Sequence, residues 1–146
     1  MENSYYEIGF TSVVGDLFHA GHVAMIQECK RHCAHLVVAV MADTHDREGK
    51  NKPVQSLFER FYQVANTAGV DECYACGSEE DLLLCIKTIK PEVRFVGDDY
   101  REKDYTDRDY CNKAGIRIMY TNRDHDLSST ELRRRVIAAE TEGRAK

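Results

Sequence analysis

No stretch of this 146-residue chain approaches the roughly 18 consecutive apolar residues of a membrane span, so membrane insertion is not expected. The opening "MENSYYEIGF" lacks the basic segment and following apolar segment of a secretory leader, which makes the cytoplasm the expected location. A surplus of positive charge is also missing. Twenty lysines and arginines face 25 aspartates and glutamates, and a formal net charge of -5 argues against a nucleic-acid binder. An anionic ligand must therefore be held by a local cluster of cations. Two phosphate-binding patterns are absent as well: G-x-x-x-x-G-K-[ST], and G-x-G-x-x-G after the first strand. Their absence sets aside P-loop kinases and NAD-dependent dehydrogenases. There is no internal repeat, low-complexity tract or Pro/Gly-rich linker, and 146 residues with 42% hydrophobic content suit one domain over residues 1–146.

Cysteine is present six times, as Cys29, Cys33, Cys73, Cys76, Cys85 and Cys111. Without a leader these are expected to be reduced, mostly buried thiols. Cys73 and Cys76 make a C-x-x-C, yet no second pair at zinc spacing accompanies it. The pair also falls inside an expected strand rather than at a strand-to-helix turn. A thiol-redox or zinc module on these two residues is thus a minor alternative, which metal analysis would decide.

The apolar pattern alternates between short runs and helical periods. Strands are expected at Tyr5–Val14, His35–Ala42, Glu72–Cys76, Val93–Gly97 and Ile116–Tyr120, the second being a continuous valine-rich run of the fully buried kind. Helices are expected at Gly21–Cys33, with Val23, Ile26 and Cys33 near one face, and at Leu57–Thr67, Glu80–Ile89 and Asp104–Ala114. A last helix follows Ser128, with Leu132, Val136 and Ala139 in apolar register. Such alternation predicts βαβ crossovers and a small Rossmann-like, doubly wound α/β domain with a five-stranded, mainly parallel sheet.

Ligands of such sheets bind at the carboxyl ends of the strands. That edge collects "GDLFHAGH", "DTHDREGKNK", "GDDYREKD" and "TNRDHDLSST" from four separate parts of the chain. His19 and His22 stand at a helix start, where backbone N–H groups and the dipole favour an anion, and Gly21 between them permits close approach. Ser128 or Ser129 can cap the last helix and open a second anion site. Lys50, Lys52 and Arg123 add loop cations at the same edge, whereas the arginines of "ELRRR" suit a solvated helix face. Asp98 and Asp99 suit Mg²⁺ or the hydroxyl and amino groups of a nucleoside.

Together, "DLFHAGH", "KNKP", Glu59-Arg60, "VGDDY" and "RDHDLSSTELR" resemble, in order and spacing, the HxGH nucleotidyltransferases. From about Tyr6 to about Val136 the chain resembles the small cytidylyltransferases of the glycerol-3-phosphate cytidylyltransferase type. The resemblance implies transfer of CMP from CTP to an alcohol phosphate, most simply sn-glycerol 3-phosphate, with release of pyrophosphate. It implies that His19, His22, Lys50 and Arg123 act at the reacting phosphates, and that Lys52 meets the acceptor. Val14, Gly15, Asp16, Gly21, Asp99, Leu127, Ser128, Ser129 and Thr130 would hold the nucleotide. Mg²⁺ would be carried by the triphosphate, with no protein ligand set assigned. A homodimer is implied by analogy.

The chain departs from that type in three places. "VVGD" stands for the family's "GTFD" and "RDHD" for its "RTxG". "GSEEDLLL" replaces the lysine-bearing start of the helix after strand three, putting Glu79, Glu80 and Asp81 where an acceptor phosphate would be held. "VGDDYREKD" is also similar to the ADP-heptose synthase domains, which use ATP and a sugar 1-phosphate, and FAD-forming enzymes share HxGH. An adenylyltransferase of either kind is the first alternative. A non-catalytic nucleotide sensor, which would bind without releasing pyrophosphate, is the second.

Overall fold

A computed structural model describes residues 5–42, 52–122 and 127–144. Five strands, β1 (Tyr6–Val13), β2 (Cys33–Met41), β3 (Glu72–Cys76), β4 (Val93–Gly97) and β5 (Arg117–Thr121), form one sheet in the order β3-β2-β1-β4-β5. Every pairing is parallel. The helices are α1 (Ala20–Lys30), α2 (Leu57–Ala65), α3 (Glu79–Ile89), α4 (Arg108–Ala114) and α5 (Ser129–Arg144). No helix among the described residues is long and apolar enough to cross a membrane.

The valine-rich run of β2 explains the layering, because alternate residues of a strand serve opposite faces. Leu36, Val38 and Val40 pack with Ile26 and Cys29 of α1 and Val64 of α2. Val37, Ala39 and Met41 pack on the other face with Leu82 and Ile86 of α3 and Cys111 of α4. Both faces of the strand are thus removed from water, as its composition requires.

Several expected boundaries shift for physical reasons. Cys33 joins β2, paired with Tyr6, so α1 ends at Lys30 and its buried stripe is Gly21, Ile26 and Cys29, with Val23 left 37% exposed. The fourth helix starts at Arg108 rather than Asp104, after a short 3-10 turn at Asp98–Tyr100. The reason is a buried ion pair. Arg94 of β4 binds both carboxylate oxygens of Asp107, at 2.8 and 3.3 Å, and donates to Ser12 of β1 at 3.0 Å, which holds the preceding segment to the sheet. In α5, Val136 and Ile137 are 55% and 67% exposed, so the apolar register expected around Val136 does not enter the core.

The strand order reverses between β1 and β4, and the paired ladder there covers only Gly9↔Val93 and Phe10↔Arg94. Beyond it, side chains bridge the strands: Thr11 Oγ1 donates to the Phe95 carbonyl at 3.2 Å, and Arg94 reaches Ser12. The crevice at this switch point is where the fold offers a ligand its place, and the loop after β1 stands at its rim.

Candidate active site

The loop after β1 turns sharply through Gly15 and Leu17, whose φ values of 72° and 48° lie in the left-handed region. Glycine adopts this conformation freely; leucine does so only where its surroundings hold it. Here Leu17 N–H donates to Gln55 Oε1 at 2.8 Å. The turn delivers His19 to the N-cap of α1.

There the two histidines cap the helix reciprocally. Gly21 N–H donates to His19 Nδ1 at 3.0 Å, and His19 N–H donates to His22 Nδ1 at 3.1 Å. They do the work that a serine and a glutamate share in a capping box. An Nδ1 that accepts a hydrogen bond carries no proton, so each ring carries its proton on Nε2. The rings lie 4.0 Å apart between centroids, and Phe18 stacks on His22 at 5.1 Å with an interplanar angle of 9°. No acidic residue occupies the first turn of α1.

Gly21 is required by space rather than by backbone angle. A Cβ there would lie 2.8 Å from His19 Cε1 and 3.0 Å from Leu127 Cβ, so any side chain would displace the imidazole or the segment before α5. Residues 21 and 127 are thus packed together. Ser129 Oγ donates to the Asp16 carbonyl at 2.9 Å, and Ser128 Oγ accepts Glu131 N–H at 3.0 Å as the cap of α5. Thr130 follows in the first turn of that helix. The "LFHAGH" and "LSST" segments, more than a hundred residues apart in sequence, meet here.

Asp16 fastens the meeting point. Its buried carboxylate accepts Val54 N–H and Gln55 N–H at 2.9–3.0 Å and pairs with Arg133 of α5. Burial pushes its pKa up, but the hydrogen bonds from Gln55 and Val54 and the Arg133 guanidinium outweigh this and hold it below the usual carboxylate value. Arg133, read from sequence as part of a solvated face, is only 23% exposed and belongs to this centre. Its separation of 117 residues from Asp16 left no local signal in the sequence.

Arg60 closes the floor. It is 1% exposed and donates from Nη1 to the Val14 carbonyl at 2.9 Å and to the Met41 carbonyl, and from Nε to the Gln55 carbonyl at 3.2 Å. It ties the ends of β1 and β2 to the approach of α2. Its neighbour Glu59 completes a capping box with Ser56, at 2.8 and 3.2 Å. Lys52 is exposed, two residues before the Val54 amide that Asp16 holds. Asp99 is exposed in the turn after β4. Lys50 and Arg123 lie outside the described residues.

The C-x-x-C does not form a pair. Cys73 packs with the α1/α2 face and Cys76 with the α3/α4 face, as residues three apart on a strand must. Burial pushes the Cys73 thiol up to about 11. Among the described residues no group of three or more histidine, cysteine or acidic side chains could hold a metal ion.

A family pattern described as Cytidylyltransferase-like matches residues 16–135. The chain belongs to the cytidylyltransferase-like family. It is 33% identical over 113 residues to Bifunctional protein HldE of Granulibacter bethesdensis, covering 76% of this chain and 23% of that protein. It is 32% identical over 134 residues to the HldE of Gluconacetobacter diazotrophicus, covering 90% of this chain and 28% of that protein. The chain thus spans about a quarter of the length of these curated relatives. Among solved structures, a lipopolysaccharide core biosynthesis protein from Thermoplasma volcanium matches with a TM-score of 0.67 at 22% identity, covering 82% of this chain and 99% of that one. Pantothenate synthetase from Thermus thermophilus matches at 0.59 and 20%, covering 86% and 61%. At those identities the structural likeness establishes the Rossmann-like fold.

Proposed function

We propose that this nucleotidyltransferase moves AMP from ATP to a sugar 1-phosphate, in the manner of ADP-heptose synthesis. The observation that carries the choice is the set of HldE relatives at 30–33% identity, enzymes of ADP-heptose synthesis. It agrees with the likeness of "VGDDYREKD" to those domains, and moves the preferred pair away from CTP and glycerol 3-phosphate.

In the proposed reaction an acceptor phosphate oxygen bonds to the α-phosphorus while the bond to the α,β-bridging oxygen breaks, releasing pyrophosphate. The attacking phosphate is already anionic, so the protein's task is alignment and charge stabilisation. His19 and His22 donate through Nε2–H to the α-phosphoryl oxygens as charge builds there, supported by the N-terminal dipole of α1. The first turn of α5 at Ser128–Thr130 receives the β,γ-phosphates, with Lys50 and Arg123 as loop cations and Lys52 toward the acceptor. Val14, Gly15 and Gly21 line the approach, and Asp99 takes the nucleoside side. Asp16, fully engaged by Val54, Gln55 and Arg133, positions these parts rather than binding nucleotide with its carboxylate. Mg²⁺ would be carried by the nucleotide phosphates.

A second reading keeps CTP and an alcohol phosphate, favoured by the family description and by Asp99 in "GDDY". The deciding experiment is pyrophosphate release with Mg²⁺, ATP or CTP, and either sugar 1-phosphates or glycerol 3-phosphate. Release with ATP and a sugar 1-phosphate is the expected result. Release only with CTP supports the second reading, and nucleotide binding without release supports a sensor.

A further inference from the structure

Cys76 does have a sulfur neighbour, on a different element from the one its motif suggests. Its Sγ lies 3.8 Å from Cys85 Sγ, across the junction of β3 and α3. A disulfide has its sulfurs about 2.05 Å apart, so the two sulfurs must close by about 2 Å to be joined. The connecting turn is already held in shape. Ser78 Oγ accepts Asp81 N–H at 3.1 Å, and Asp81 Oδ2 accepts Gly77 N–H at 3.0 Å.

The pair is also reachable. An open groove of about 320 Å³, lined by both cysteines with Tyr74, Leu84, Thr88 and Ile89, lies along the edge strand β3. Cys85 is half-buried at its wall, while Cys76 is 1% exposed. Cys85 is the more exposed of the two and is therefore the sulfur an oxidant meets first, while burial and the neighbouring Cys85 push the Cys76 thiol up to about 12. By contrast Cys29, Cys33 and Cys111 are 0% exposed, and Cys73 faces the other side of the sheet.

We propose that Cys76 and Cys85 are an oxidative modification site at which a peroxide creates an intramolecular disulfide stapling the end of β3 to α3. Cys85 sulfur attacks one peroxide oxygen and the O–O bond breaks, giving Cys85 sulfenic acid and, from hydrogen peroxide, water. Cys76 sulfur then attacks Cys85 sulfur, the S–O bond breaks, and a second water leaves with the Cys76 proton. Two thiols lose two electrons and two protons, and the peroxide is reduced to two waters.

The test treats the full chain with hydrogen peroxide and follows its intact mass, then digests it without reductant. The expected result is loss of two hydrogens, reversal by dithiothreitol, and one cross-linked peptide joining Cys76 to Cys85. Cys73→Ser should leave the cross-link unchanged, whereas Cys85→Ser should abolish it. Oxygen addition without a cross-link, or a linkage between any other cysteines, overturns the proposal. Cleavage after Tyr74, between Cys73 and Cys76, and again before Cys85 lets the wild-type peptide map alone decide this, so the outcome does not depend on how either variant folds.

Discussion

The first turns of α1 and α3 both stand at the carboxyl edge of the sheet, and both begin with the N–H groups and positive dipole end that attract anions. In α1 the caps are two imidazoles, no acidic residue follows, and the start of α5 packs against the turn. In α3 the same positions hold Glu79, Glu80 and Asp81, and Asp81 folds back onto Gly77 N–H. One helix start carries no acidic residue in its first turn; the other carries three, one of which folds back onto the chain. On the function proposed above, phosphate chemistry belongs to the α1 side of the sheet and not to the β3 side.

The sharpest way to break this comparison is to separate capping from donation at α1. Asparagine is a good N-cap, so His19→Asn should keep the helix start, with stability within about 0.5 kcal/mol in urea unfolding. The Nε2–H donor is lost, however, and kcat for pyrophosphate release should fall about 10²–10³-fold. A variant with near-normal kcat would show that His19 is a cap and nothing more.

Next in size is the fastening of α1 to α5. Asp16→Asn leaves Arg133 without its counter-charge and weakens the hold on Val54 and Gln55, at a cost of about 2–3 kcal/mol in urea unfolding. The pH dependence carries a sign. Because the folded-state pKa of Asp16 lies below its ordinary value of 3.8, its stabilising contribution is complete above that value and is lost as pH falls through the folded value. Wild type should therefore lose stability from this group only below about pH 4, and the variant's acid limb should be flatter. Gly21→Ala follows, at about 1–2 kcal/mol, through the contacts that its Cβ would make with His19 and Leu127. A larger loss in kcat than in stability would place that displacement at the imidazole.

What could be read in advance divides along the same line. The strands, the helix starts and the histidine pair are local patterns, legible in the sequence. Asp16–Arg133 and Arg60 with its three carbonyls are long-range, and no periodicity encodes them. The start of α4 depends on another long-range contact: Arg94 of β4 binds the carboxylate of Asp107, just before the helix. The C-x-x-C is a different case. A period of two puts residues three apart on opposite faces, so the separation of Cys73 from Cys76 follows once the segment is read as a strand. The sulfur contact with Cys85, by contrast, needs the packing of α3.

The smallest expected effect sharpens the comparison from the acidic side. Glu79 and Glu80 lie in the first turn of α3, where they complement the dipole by about 0.3–1 kcal/mol each at low salt. Replacing both by glutamine should cost no more than about 1–2 kcal/mol in unfolding, and less as salt is raised. If α3 takes no part in substrate binding, the KM for the acceptor phosphate should change less than about twofold, since exposed charges at a distance are largely screened. A much larger fall in that KM, with kcat unchanged, would mean that the acceptor approaches along α3 and that the acidic turn acts as a filter against the wrong phosphates. The two helix starts would then cooperate as an attractive and a repulsive element of one site, rather than divide the edge between them.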